Sequence, residues 1–250
     1  MIRRRFLIAS GLVLAATAAA LAILPARWLM LALPAHWPLA IVAADGTIWS
    51  GSATLAVGPA ANRRSLPDPL RWQWSFRHGP KMQVSHPWLN GPLIIAPSLS
   101  GVALSAQTLQ LPAQALAALD ARIGAIGPEG RLTLSWPPTL IGTSRPPAGT
   151  PLLNAEWRDA AASLTPIRPV GHYTLALRQA GDTAVAILLD TLQGPLILSG
   201  KGELNPQGGL RFDGTARADP AAGPDVQAAL FDVLSALGPR QNDQTLLQYR

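Results

Sequence analysis

Beyond about residue 40 the chain alternates apolar and polar positions with a period of two, the pattern of half-buried strands in antiparallel sheets. Leu70, Trp72, Trp74 and Phe76 fall on one side of such a strand, and Arg71, Gln73, Ser75 and Arg77 on the other. Trp49, Gly51, Ala53, Leu55 and Val57 alternate with Ser50, Ser52 and Thr54. Leu132, Leu134 and Trp136 do so with Thr133 and Ser135, and Tyr173, Leu175 and Leu177 with Thr174 and Arg178. Two stretches switch to helical spacing. Ala113–Ile126 gathers Leu116, Leu119, Ile123 and Ile126 on one face; Pro224–Leu237 gathers Val226, Leu230, Val233, Leu234 and Leu237. Pro224 suits a first helical position, and Gly238–Pro239 a stop.

The N-terminus follows neither pattern. Phe6–Leu24 is an uninterrupted apolar run of 19 residues without charge. As a helix it would extend about 28 Å, close to the roughly 30 Å of a bilayer's hydrocarbon core. Arg3, Arg4 and Arg5 precede it, which predicts a cytoplasmic N-terminus and an exported remainder. Pro25, Arg27 and Trp28 follow as an interfacial anchor. The rival is a cleaved signal peptide with Ala18–Ala20 at the cleavage site. The run continues through Leu21, Ile23 and Leu24, which favours a retained anchor. Either way the remainder lies outside the cytoplasm.

The expected fold is mainly β with a few helices: a membrane helix, then a repetitive antiparallel β-sheet region carrying two amphipathic helices. The segments are a cytoplasmic stretch 1–5, a transmembrane helix 6–24, a β-rich half 25–136, a linker or long loop 137–151 and a second β-rich half 152–250. Pro137–Pro138 and Pro146–Pro151 mark the linker. The halves share a pattern. Gly91–Pro92–Leu93–Ile94 resembles Gly194–Pro195–Leu196–Ile197. Ala117–Ala118–Leu119 followed by Ile126–Gly127–Pro128 matches Ala228–Ala229–Leu230 followed by Leu237–Gly238–Pro239. This predicts two copies of a strand–strand–helix unit, near 91–136 and 194–250.

Composition narrows the function. Charged residues make up 14% of the chain, against roughly 25% in an average soluble chain. So little charge calls for burial in a core, a membrane or a partner. The net charge of +6 comes almost wholly from arginines without a basic stripe or interleaved aromatics, so no nucleic-acid partner is expected. With no cysteine, disulfides and thiolate chemistry are excluded. His36, His78, His86 and His172 stand in no metal-binding pattern, and the carboxylates form no acid–base pair. Trp49–Ser50–Gly51–Ser52 lacks the spacing of a nucleophile elbow. No catalytic, cofactor-binding or metal-binding residue is expected, no cofactor is implied, and the chain does not read as an enzyme. Of the eight tryptophans, Trp28 and Trp37 suit a membrane surface. Trp49, Trp72, Trp74 and Trp136 lie on apolar strand faces, where they either pack a core or line a groove for an apolar ligand or peptide strand. Trp49 is expected inside the sheet's core.

The order of motifs resembles a known family. Gly46–Thr47–Ile48–Trp49–Ser50–Gly51–Ser52–Ala53 follows the anchor; Pro169, Gly171 and Tyr173 form a PxGxY motif; Gly194–Pro195–Leu196 and Gly209–Leu210–Arg211–Phe212–Asp213–Gly214–Thr215–Ala216 come next. From about 6 to 240 the chain is similar to type II secretion system protein N, the general secretion pathway N component. The resemblance implies a single-pass inner-membrane accessory with a periplasmic domain. It would serve a machine that exports folded proteins across the outer membrane, with other secretion-system membrane subunits as partners. It brings no site residues. Two alternatives stay open: an envelope lipid-handling protein with an AsmA-like apolar groove, and a soluble envelope hydrolase. Within the residues themselves, glycines beside large rings point to architecture. Gly46 and Gly51 bracket Trp49, and Gly209 and Gly214 flank Phe212.

Overall fold

In a computed structural model the alternating segments are strands, and nearly every ladder is antiparallel. The structure describes residues 12, 14, 16–17, 19–31, 34, 37, 39–59, 63–118, 121–143, 145–181, 183–205 and 209–249. These form two compact units, residues 1–86 and 87–250. The stretch 137–151 therefore lies inside the second unit, and it contains a short strand. Arg3–Arg5 and Phe6–Gly11 of the expected anchor, and His36, lie outside the described residues. The placed residues 12, 14, 16–17 and 19–22 are helical, and among the described residues no helix is long and apolar enough to cross a membrane.

The first unit is built on β1 (Leu39–Gly46), β2 (Ser50–Val57), β3 (Arg64–Ser65), β4 (Leu70–Ser75) and β5 (Lys81–Ser85). They run in the order β1-β2-β4-β5, with β3 added to β2. The turn between β1 and β2 is tied down by Thr47, whose N–H donates to Ser50 O at 2.9 Å and whose Oγ1 accepts from the Ser50 N–H at 3.2 Å. A single 3₁₀ turn, Ala26–Leu31, packs on β1 and carries the buried Ala26. The alternation expected in β4 holds: Trp72 is buried, while Arg71 and Gln73 are exposed. Phe76 falls beyond the strand and is 58% exposed.

The second unit holds a three-stranded path and a nine-stranded sheet. The path is β6 (Leu93–Ser98), β7 (Gly101–Leu104) and β10 (Thr139–Gly142). The larger sheet comprises β8 (Gln107–Pro112), β9 (Pro128–Trp136), β11 (Pro151–Ala162), β12 (Gly171–Ala180), β13 (Ala184–Gln193), β14 (Leu196–Asn205), β15 (Gly209–Ala218), β16 (Arg240–Gln241) and β17 (Gln244–Tyr249). Its order is β16-β17-β15-β14-β13-β12-β11-β9-β8, close to a simple meander.

The helices differ from expectation in continuity. Ala113–Ile126 resolves into a 3₁₀ turn, Ala113–Ala118, and a short α-helix, Ala121–Ile126. Pro224–Leu237 is two short helices, Pro224–Ala229 and Phe231–Leu237, hinged at Leu230. Leu230 has φ −87° and ψ −5° and is fully buried, so the break swings its side chain into the core. The repeat is visible as topology: in each copy a helical segment joins two strands that pair with each other, β8 to β9 and β15 to β17. These two strand pairs lie at opposite ends of the nine-stranded sheet, while β6 and β7 of the first copy lie outside it.

One core serves that sheet. Ala160, Ala162, Val170, Tyr173, Leu196, Ala216, Leu230, Val233 and Leu234 are its buried members, with Ile126, Trp157 and Leu247 packed against them. The loop between β11 and β12 fastens both helical segments. The Ser163 N–H and its hydroxyl both donate to Ile126 O at 3.0 Å, and the Thr165 hydroxyl donates to Ala229 O at 2.8 Å. The last carbonyls of a helix have no partner within it, so these bonds satisfy groups that would otherwise be orphaned. Gly127 follows Ile126 at φ +61°, and a Cβ there would sit 2.4 Å from Ser163 Oγ, so only glycine lets the loop close.

Candidate functional site: an apolar hollow in the first unit

Covalent chemistry has little to work with among the described residues. No group of three or more His, Asp or Glu side chains is placed to hold a metal. His78 is exposed; His86 Nε2 lies 3.2 Å from Asp68 O; His172 Nδ1 accepts the Asp159 N–H at 3.2 Å. These are ordinary backbone partnerships. Glu129 and Arg168 form a two-bonded ion pair on the surface, and the Arg168 guanidinium holds the Glu129 carboxyl below the usual carboxylate range. Burial pushes the Tyr173 phenol well up, and its hydroxyl lies 3.0 Å from Leu196 O and 3.2 Å from Val170 O. A neutral phenol shared between two carbonyls inside the buried core cluster is a structural pin. The PxGxY motif is thus architectural: a Cβ on Gly171 would fall 2.5 Å from the Tyr173 hydroxyl.

Among the described residues, an apolar cavity of about 660 Å³ lies on the apolar face of the first unit's sheet. Its walls follow from strand register. Leu39 and Ile41 come from β1, with Ile41 paired to Leu55 of β2. Ala53 of β2 pairs with Leu70 of β4; Trp72 and Trp74 of β4 face Val84 and Met82 of β5. Side chains that alternate along four neighbouring strands share a face, so these residues form one continuous wall. A shift of register between Ile41 and Ala43 ends it along β1. Leu29 of the 3₁₀ turn, Ile48 and Trp49 complete the lining.

Every lining residue is apolar. The Trp49 indole N–H donates to Leu21 O at 2.8 Å, and that of Trp72 to Ile48 O at 3.0 Å. Trp49 is therefore not the buried core ring the alternation predicted. It is half-buried, precedes β2, and stands edge-on to Trp74 at 6.2 Å between ring centres. Phe76 joins both rings, lying nearly parallel to Trp74 at 6.1 Å. Trp72 takes the core position. It packs over Gly51, its cross-strand partner, where an added Cβ would meet the ring at 2.7 Å. The glycine device is real, but the ring it accommodates is on the next strand.

Of the four strand tryptophans singled out by alternation, the structure brings Trp49, Trp72 and Trp74 to this cavity; Trp136 is on β9 in the second unit. Leu29, Leu39, Ile41, Met82 and Val84 were not foreseen. Lys81–Ser85 does alternate, with Met82 and Val84 on one side, but a five-residue strand gives that pattern little weight.

The comparisons agree with the order of motifs. The pattern described as type II secretion system (T2SS), protein N matches residues 38–247, a span that takes in every wall residue of the cavity but Leu29 and all but the last two residues of the nine-stranded sheet. Type II secretion system protein N of Klebsiella pneumoniae is 28% identical over 251 residues, covering 89% of each chain. No solved structure matches. With the family pattern covering most of its length, the chain belongs to the type II secretion system protein N family.

Proposed function

We propose that the protein is an inner-membrane-anchored accessory of type II secretion, with both β units on the periplasmic side and other membrane-anchored subunits as its partners. The observation that carries this reading is the family match over 38–247. Three features support the finer parts. Phe6–Leu24 is uncharged and preceded by Arg3–Arg5. Leu12, Leu14 and Ile23 are 67%, 71% and 71% exposed, an arrangement that water penalises and lipid does not. The chemistry among the described residues is that of packing and hydrogen bonding, which suits a component acting by contact. Strand β1 ends its sheet's path, and a free strand edge can pair with a partner's backbone.

Alkaline phosphatase fused after Arg250 is expected to be active in a bacterial host and to resist carbonate extraction; an inactive fusion defeats the topology. Deleting 40–250 while keeping the N-terminal run is expected to trap exported enzymes in the periplasm. Passage across the inner membrane should be unaffected. Undiminished extracellular enzyme in that strain defeats the secretion role.

A further inference from the structure

The cavity of the first unit is more specific than a docking surface needs to be. Its walls are twelve apolar side chains. The Trp49 and Trp72 indoles spend their N–H groups on Leu21 O and Ile48 O rather than turning them inward. A peptide strand laid there would lose its water and gain no hydrogen bond in return, a cost that excludes extended backbone as the occupant. A carbohydrate or nucleotide fails for the same reason. The occupant must be hydrocarbon, and a space of about 660 Å³ lies within the roughly 300–1,000 Å³ of pockets that enclose small ligands.

The source of that hydrocarbon follows from the cavity's place in the chain. Trp49 is held to Leu21 O, and the Ile48 N–H donates to Leu24 O at 3.0 Å, so two lining residues are bonded to the end of the apolar N-terminal run. Pro25 bridges to Thr47 beside them. Leu29, itself a wall residue, comes five residues after that run. The intervening Arg27 and Trp28 are exposed, with Trp28 at 58%; such residues sit at the level of lipid headgroups. An apolar path of Leu21, Ile23, Trp28 and Met30, all exposed, accompanies the chain from the run to the wall.

We infer that this cavity takes the acyl chain of a membrane lipid, drawn from the periplasmic leaflet in which the N-terminal run ends. The inference rests on the reading that Phe6–Leu24 is inserted in the membrane. The first unit then sits on the bilayer surface with its apolar face filled by lipid, and Arg27 is placed to meet an anionic headgroup.

The full-length chain in detergent micelles, titrated with 9,10-dibromostearic acid, tests it. Bromine quenches indole emission on contact, and Trp49, Trp72 and Trp74 line the cavity. Saturable quenching at one fatty acid per chain is expected. Ile41→Phe with Met82→Phe, which fills the space, and Ile41→Asn, which makes its wall polar, should each weaken binding by about tenfold or more. Circular dichroism of both variants guards against misfolding. Quenching equal in wild type and in both folded variants, or no saturable quenching at all, overturns the inference; the second result gives the cavity to an apolar side-chain cluster of a partner protein. Carbonate extraction of the same chain reads membrane insertion separately. A chain that quenches saturably yet is extracted refutes the lipid's proposed source in the bilayer, while an inserted chain without quenching refutes the site alone.

Discussion

Gly51 and Trp72 show how much one residue pair decides. The ring of Trp72 is 6% exposed and lies over the missing side chain of its cross-strand partner. A Cβ at Gly51 would also come within 2.4 Å of Asp45 O, which is backbone and cannot yield cheaply. Gly51→Val is therefore expected to destabilise the first unit by about 1–3 kcal/mol, as overpacking does. Trp72→Ala should cost about 3–5 kcal/mol, and Trp49→Ala clearly less, because Trp49 is half-buried. Denaturant melts of the three variants check this ranking. Alternation correctly placed an apolar ring near these glycines. It pointed to Trp49, the neighbour in sequence, because cross-strand register is fixed by turns whose geometry one-dimensional patterning does not contain. The same device recurs at Phe212, whose ring would meet a Cβ on Gly200, Gly202 or Gly214 at 2.5–2.9 Å. There two of the three glycines come from the adjacent strand β14, again invisible to local spacing.

Tyr173 adds a dependence on pH. Its phenol is held in the neutral form by burial, above the value of about 10 it has when unfolded. Below pH 10 both states keep the proton and the stabilisation is complete. Above it the unfolded chain releases the proton while the folded one retains it, so stability falls as pH rises. Tyr173→Phe is expected to lower stability at pH 7 by about 0.5–1.5 kcal/mol through the lost hydrogen bond and to flatten the alkaline decline. Thermal melts at pH 7 to 11 compare the two slopes; equal slopes would rule out this cause.

At the scale of elements, the loop between β11 and β12 is the part with most leverage. It reaches the ends of two helical segments far apart in sequence, through Ser163 to Ile126 and Thr165 to Ala229. Thr165 is 4% exposed, so replacing its hydroxyl by a methyl group removes the donor to the half-buried Ala229 O. Thr165→Val is expected to cost about 1–3 kcal/mol; Thr165→Ser keeps the hydroxyl and should restore most of it. Hydrogen exchange at the amides of Val226–Leu230 would report directly the loosening of the helix that Thr165 fastens. The helices were legible because a five-residue apolar stripe and a Pro-start, Gly-Pro-stop frame coincide in Pro224–Leu237. The hinge at Leu230 was not. A continuous stripe fits a straight helix as well as a bent one, and only the curvature of the core beneath selects the bend. Gly238 stops the helix for a reason of its own: a Cβ there would meet Leu246 O at 2.4 Å, so the returning strand needs its bareness.

At the scale of the molecule, the repeat foretold two similar pieces but not their arrangement. The β8–β9 pair of the first copy and the β14, β15 and β17 strands of the second lie toward opposite ends of one nine-stranded sheet, and the strands between them, β11 to β13, belong to neither copy. Proline density suggested a boundary at 137–151, yet prolines there flank β10, which pairs with β7. Proline marks where strands stop and not where cores divide, and a loop inside a unit looks the same in sequence as a link between units. The cavity was legible only as a surplus of strand tryptophans, since its outline depends on four strands in register. The core of the nine-stranded sheet makes the last expectation. Each of its buried members lies between Ala160 and Leu234, and the partly buried ones between Ile126 and Leu247. Both helical segments that cover it, and the loop that fastens them, belong to 87–250 as well. Everything needed to bury this core is thus present in that span. A fragment 87–250 is expected to give a β-type circular dichroism spectrum and a single cooperative melt. Leu230→Ala within it should lower stability by about 2–5 kcal/mol, because the side chain is fully buried at the hinge. A fragment that melts without cooperativity, or one indifferent to Leu230→Ala, would mean that this core is not what holds the second unit together.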